Sequence, residues 1–189
     1  MELLILGGTF DPPHLGHLHL ADMASKHFDG LPVVFIPAFS PAHKSSRGVS
    51  PASVRLAMLE AALAGTEWRV ETLELDRGGI SYTIETVREL KERYGLKEPP
   101  GLIMGDDLAE GFSRWKNPEE ILQETKIVLA ARQGGVPFPY PHVALANAVL
   151  PVSSSDIRRR IEEGQAFRFL LPPGVYDYIA EHGLYGYRC

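Results

Sequence analysis

The sequence is poor in cysteine, in long apolar runs and in basic charge, and each shortage removes a class of protein. Its one cysteine is Cys189, the last of 189 residues, so no intramolecular disulfide can form and a disulfide-stapled scaffold is excluded. A reducing compartment fits, and the terminal thiol reads as incidental. No apolar stretch approaches the roughly 20 residues that span a bilayer. The opening Met1-Glu2-Leu3-Leu4-Ile5-Leu6 has no basic n-region and too short an apolar run for a signal peptide, so a cytoplasmic protein without a membrane partner is expected. Lys and Arg number 19 against 24 Asp and Glu, a formal net charge of −5. Nucleic-acid binders usually announce a basic face, and none is present, so nucleic acid is not an expected partner. Small basic islands do occur, at Lys44 with Arg47 and at Arg158-Arg159-Arg160, and these suit a small anionic ligand. Internal repeats and low-complexity tracts are absent.

What is there is an ordinary globular composition, 44% hydrophobic and 23% charged, in a chain long enough to bury a sizeable core. One domain over residues 1–189 is expected, with residues from about 153 onward as a small helical C-terminal part. Short apolar runs alternate with amphipathic segments, which predicts α/β architecture, a doubly wound, Rossmann-like parallel sheet. Strands are expected at 3–6, 33–36, 68–75, 101–104, 127–131 and 143–149. Helices are expected at 18–26, from Ser50-Pro51 to a stop at Gly65, at 83–94, from Asn117-Pro118, from Ser153 or Ser154 to 161, and at 175–181. Residues 38–49 and 133–141 read as loops.

The strongest chemical feature follows the first strand: Gly7-Gly8-Thr9-Phe10-Asp11-Pro12-Pro13-His14-Leu15-Gly16-His17. Glycines after a parallel strand let backbone approach a ligand, and the next helix turns its positive N-terminus to the same place. Neither Gly-x-Gly-x-x-Gly nor the Gly-Lys-Ser/Thr ending of a P-loop is present. In their place stand two histidines spaced i, i+3 at a helix start, where imidazoles can donate hydrogen bonds to phosphate. A zinc site would need further ligands at a plausible spacing, so no protein metal site is expected.

This run resembles the His-x-Gly-His signature of the nucleotidylyltransferase superfamily, and Ser153-Ser154-Ser155-Asp156-Ile157-Arg158 resembles its second signature, Ile-Ser-Ser-Thr-x-Ile-Arg, with Ser155 keeping the threonine hydroxyl. Pro41-Ala42-His43-Lys44, Ser81-Tyr82-Thr83, Gly105-Asp106-Asp107 and Trp115-Lys116-Asn117 are similar, in order, to the bacterial nicotinate-nucleotide adenylyltransferase family. Arg132-Gln133-Gly134 departs from that family's common Arg-Pro-Gly. Pantetheine-phosphate adenylyltransferases share the first motif, but typically have threonine at the position of His14 and lack the Trp-Lys-Asn-Pro element. A nucleotide-sensing module is the non-enzyme alternative, and retention of His14, His17, Lys44 and Arg158 together speaks against it.

The resemblance implies adenylyl transfer from ATP to nicotinate mononucleotide in NAD biosynthesis, with Mg2+ carried on the ATP phosphates. It implies His14, His17, Lys44 and Arg158 as the catalytic set. For ATP it further implies Gly7, Gly8, Thr9 and Phe10 after the first strand, Gly105 and Asp107 after the fourth, and Ser154 and Ser155 at the helix start before Arg158. For the mononucleotide it implies Asp11, Lys44, Tyr82, Thr83, Trp115 and Arg132. The attacking phosphate is already ionised at neutral pH, so positioning and charge stabilisation suffice without a protein nucleophile.

Overall fold

Period-two alternation divides each strand's side chains between two faces, and here both faces are covered. The computed structural model describes residues 1–41, 48–131 and 137–188. Its strands are β1 (Leu4–Gly8), β2 (Val33–Pro37), β3 (Ser40–Pro41), β4 (Arg69–Val70), β5 (Ile80–Ser81), β6 (Gly101–Gly105), β7 (Lys126–Ala130) and β8 (Val143–Leu145). Its α-helices are α1 (Leu15–His27), α2 (Ala52–Leu63), α3 (Leu73–Arg77), α4 (Thr83–Tyr94), α5 (Pro118–Glu124), α6 (Ser154–Glu162) and α7 (Pro173–His182). Six strands form one sheet in the order β4-β2-β1-β6-β7-β8, and every pairing in it is parallel.

Ile5 of β1, Val34 and Ile36 of β2, and Leu102 and Met104 of β6 pack on one face against Ile84, Val87 and Leu90 of α4 and Ile121 of α5. Their sequence neighbours Leu4, Leu6, Val33, Phe35 and Ile103 pack on the other face against Leu20, Ala21 and Ala24 of α1 and Leu59 and Leu63 of α2. A parallel sheet sandwiched this way needs nearly continuous apolar strands, which is why β2 is buried at all five positions. The doubly wound expectation holds.

A third cluster joins the C-terminal helices to the rest. Met58 and Ala62 of α2 meet Ile157 and Ile161 of α6 and Val175 and Ile179 of α7. Helix α2 therefore buries two stripes, one on the sheet and one under the C-terminal part.

The sheet order reverses at β1, whose neighbours β2 and β6 lead away in opposite directions. β1 stays paired with β2 as far as Gly8↔Pro37, but its pairs with β6 are Leu4↔Gly101 and Ile5↔Leu102. Beyond Ile5 the two central strands diverge and open a crevice at their carboxyl ends, the usual ligand site of such sheets.

Three local expectations need correction. The alternation over 68–75 forms only the two-residue edge strand β4, after which the chain coils into α3 and buries Leu73 and Glu74. The strand expected at 143–149 ends at Leu145, because the Asn147 side chain takes over the pairing: its Oδ1 accepts the Ala131 N–H at 2.9 Å and its Nδ2 donates to the Ala131 carbonyl at 2.9 Å. Ser40–Pro41, expected as loop, pairs with Ile80–Ser81 in a small parallel sheet of its own. The rest of the 38–49 loop and of the 133–141 loop lies partly outside the described residues.

Candidate active site

β1 ends in glycine so that the chain can fold back over its own end. Phe10 has φ 52 and is 1% exposed. Its ring lies so close that a Cβ on Gly8 would sit 3.0 Å from it. The same ring packs on Phe35 at 5.8 Å and edge-on to His17 at 4.9 Å, which seats the signature turn in the core.

Helix α1 then starts with His14 at its N-cap. The His14 backbone N–H donates to Nδ1 of His17 at 3.2 Å, and the two imidazoles stack with centroids 3.7 Å apart. Accepting at Nδ1 leaves the proton of a neutral His17 ring on Nε2, as a donor. Gly16 makes this stack possible: a Cβ there would meet Val152 Cγ1 at 2.9 Å and His14 Nδ1 at 3.0 Å.

Both histidines line a cavity of about 370 Å³ at the crevice between β1 and β6. Such a volume suits a small-molecule ligand. Helix α6 points its first turn into it: Ser153 caps the helix by accepting the Asp156 N–H at 3.1 Å, and Ser154 Oγ donates to the Pro12 carbonyl at 2.8 Å. Arg158 donates to the Asp11 carbonyl at 2.6 Å and to Ser155 Oγ at 3.4 Å. A helix N-terminus, hydroxyls and a guanidinium thus share one wall with the histidines, an arrangement that attracts phosphate.

A different chemistry faces them. Trp115 lines the cavity and packs on the buried Phe112 with centroids 5.3 Å apart. Helix α4 begins there at Thr83, with no side chain capping it. In its first turn Thr86 lines the cavity with Glu74, and its hydroxyl donates to Glu74 Oε1 at 2.6 Å while accepting from Arg77 at 3.0 Å. Glu74 is 8% exposed, and burial pushes its carboxyl above the usual carboxylate range despite hydrogen bonds from Thr86 and Ser81.

One cavity therefore brings together Gly7, Gly8, Thr9, Phe10, His14 and His17 with Gly105, Asp107, Thr83, Trp115, Ser154, Ser155 and Arg158. Asp11 borders it, but its carboxylate is engaged by protein: Oδ1 accepts the Tyr185 hydroxyl at 2.6 Å and Oδ2 the Ser50 N–H at 3.1 Å. Tyr82 is not part of the lining; its ring lies 4.3 Å from the Lys116 ammonium. Lys44 and Arg132 lie outside the described residues, as does Cys189.

Sequence reasoning missed Glu74 and Arg55. Arg55 is 1% exposed and ties three segments by donating to the carbonyls of Thr9, Phe39 and Ser50 at 2.9, 3.2 and 3.0 Å. Burial lowers its pKa, with the Asp11 charge opposing that shift. Arg55 sits on the stripe of α2 that otherwise carries Leu59 and Ala62, and a cation on an apolar stripe is the available signal. For Glu74 no comparable signal exists, because the alternation over 68–75 reads as a strand and its partner Thr86 comes from α4.

Comparison with known proteins identifies the family and the fold. A cytidylyltransferase-like family model matches residues 5–160. A Treponema pallidum protein named "Probable nicotinate-nucleotide adenylyltransferase" is 37% identical, covering 98% of this chain and 99% of its own. A Geobacillus kaustophilus protein of the same name is 40% identical, covering 97% of this chain and 86% of its own. The fold is shared with Plasmodium falciparum nicotinic acid mononucleotide adenylyltransferase, solved in complex with NaAD, at a TM-score of 0.78, with 18% identity and 98% of each chain covered. The chain belongs to the cytidylyltransferase-like family and, within it, to the nicotinate-nucleotide adenylyltransferases.

Proposed function

We infer that this protein transfers the adenylyl group of ATP to nicotinate mononucleotide. An oxygen of the mononucleotide 5′-phosphate bonds to the α-phosphorus, the bond from that phosphorus to the bridging oxygen breaks, and pyrophosphate leaves with deamido-NAD as the other product. The observation that carries this reading is one cavity with a phosphate-attracting wall, made by His14, His17 and Arg158, and an aromatic wall made by Trp115. Membership of the family supports it independently.

In this reading His17 donates from Nε2 to the α-phosphate as charge develops there, and His14 sits beside it on the same phosphates. Ser154, Ser155 and Arg158 take the β- and γ-phosphates. Gly105 and Asp107 border the adenosine, and Gly7 to Phe10 let backbone approach the nucleotide. Trp115 stacks on the pyridine ring, and the start of α4 at Thr83 attracts the ring carboxylate through the helix dipole. Lys44 and Arg132 keep the phosphate and mononucleotide roles that the family resemblance implies. Asp11 lines the cavity with its carboxylate engaged by Tyr185 and Ser50, and Tyr82 acts from behind the wall.

The residues facing the triphosphate fit a metal brought by the nucleotide. They are imidazoles, hydroxyls and a guanidinium, and among the described residues no group of three His, Cys, Asp or Glu is placed to hold a metal ion. Mg2+ arriving with ATP would supply charge neutralisation at phosphates held by His14, His17, Ser154, Ser155 and Arg158, with no protein carboxylate cage needed.

The test is a substrate panel with ATP and Mg2+: nicotinate mononucleotide, its amide and phosphopantetheine, read by pyrophosphate release and product mass. The acid is expected to react fastest at low concentration. Equal rates for acid and amide overturn the ring preference, turnover of phosphopantetheine alone overturns the substrate, and no pyrophosphate from any of them overturns the enzyme.

A further inference from the structure

The C-terminal turn reaches back to the nucleotide site. Tyr185 holds a left-handed conformation with φ 57, in the turn Leu184–Gly186 after α7. Its hydroxyl donates to Asp11 Oδ1 at 2.6 Å, across 174 residues of sequence. Asp11 is 2% exposed, so this is a charge-assisted bond shielded from water. Among the described residues, the cation within ion-pair distance of the other carboxylate oxygen, Oδ2, is Arg158, whose Nη1 lies 4.0 Å away and donates instead to the Asp11 backbone carbonyl at 2.6 Å. Arg158 is one-third exposed and lines the cavity.

This arrangement is poised between two uses of one guanidinium. With the Tyr185 hydroxyl on Oδ1 and the Ser50 N–H on Oδ2, the carboxylate has two donors among the described residues, and Arg158 is held by the Asp11 carbonyl and Ser155 Oγ with no short bond to that carboxylate. Without the hydroxyl, Oδ1 would lose this donor in a buried setting. Arg55, whose charge also bears on Asp11, is committed to three carbonyls, so among the described residues a rotation of the carboxylate onto Arg158 is the available replacement. We propose that Tyr185 and Asp11 form a positioning pair that keeps Arg158 available to the triphosphate. Tyr185 does not line the cavity, and the Asp11 carboxylate acts in this role through its protein partners. Burial and the Asp11 charge both hold the Tyr185 proton on, so the hydroxyl stays a donor at working pH.

The proposal rests on Arg158 meeting the triphosphate, as in the reading above, and it is tested without the second substrate. Calorimetric titration of the full chain with ATP and with adenosine separates triphosphate handling from general damage. Tyr185→Phe is expected to weaken ATP about tenfold, the order of a charge-assisted hydrogen bond, with adenosine unchanged within about twofold. Arg158→Ala is expected to show the same loss, and the double variant no further one. Adding Asp11→Asn to Tyr185→Phe removes the charge that captures Arg158 and restores most of the ATP affinity; if Tyr185→Phe does not fold, Tyr185→Leu, which also lacks the hydroxyl, takes its place with the same losses and restoration expected. Unchanged ATP affinity, parallel losses for ATP and adenosine, multiplying losses in the double variant, or no restoration by Asp11→Asn would each overturn the proposal. Turnover of nicotinate mononucleotide by the unmodified protein, measured separately, tests the parent reading.

Discussion

His17 is held by its neighbour's backbone: Nδ1 accepts the His14 N–H at 3.2 Å while the two rings stack at 3.7 Å. One ring nitrogen is thereby committed to the fold, and the other is a donor in the neutral ring. This division separates two ways of losing the histidine.

His17→Asn keeps an acceptor near the Nδ1 position and removes Nε2. It is expected to keep the melting temperature close to that of the unmodified protein while lowering kcat by roughly 10², as loss of a charge-stabilising donor does elsewhere. Near-normal kcat in a folded His17→Asn protein would take His17 out of the chemistry.

Gly16→Ala asks whether the stack needs its glycine. The added methyl would lie 2.9 Å from Val152 Cγ1 and 3.0 Å from His14 Nδ1. Overpacking of this kind costs about 1–3 kcal/mol, so both the melting temperature and kcat should fall. Thermal unfolding and single-turnover kinetics would reveal it, and a variant normal in both would show that His14 yields without consequence.

Trp115→Ala should raise KM for the mononucleotide by roughly five- to 150-fold, from about 1–3 kcal/mol of lost stacking, with KM for ATP little changed. Because Trp115 also packs on Phe112, a lower melting temperature is expected alongside. Equal rises in both KM values would mean that the ring is held elsewhere.

Glu74→Gln tests the buried carboxyl that accepts from Thr86. Its raised pKa means that the folded protein binds this proton more tightly than the unfolded chain does. Glu74 therefore opposes folding increasingly as pH rises from the ordinary carboxylate range through the raised value, and the deficit is fully developed above it. Glutamine keeps an acceptor for the Thr86 hydroxyl and carries no charge. The melting temperature of Glu74→Gln relative to the unmodified protein should therefore climb with pH across that window. Parallel curves from acid to neutral pH would contradict a proton held by burial.

Much of this molecule was determined locally. Pro118 starts a helix because its missing N–H has no intrahelical partner at that position, and Gly95 and Gly183 end theirs at φ 61 and 58, where a Cβ is disfavoured. The apolar runs at β1, β2, β6 and β7 follow from a sheet covered on both faces, and the signature glycines and histidines mark its ligand end. Local pattern misled where burial overruled it: alternation over 68–75 gave only the short β4 before α3, because coiling buries Leu73, with Glu74 carried inside at a cost. Only the tertiary structure decided that Asp11 spends its carboxylate on Tyr185 and Ser50, that Arg55 joins three segments, and that Glu74 bonds Thr86 in the first turn of α4. Those partners are 39 and 174 residues from Asp11, and 12 separate Glu74 from Thr86. Propensity and periodicity act over a turn or a strand, whereas the cost of burying a charge is met by whatever donor the fold brings near.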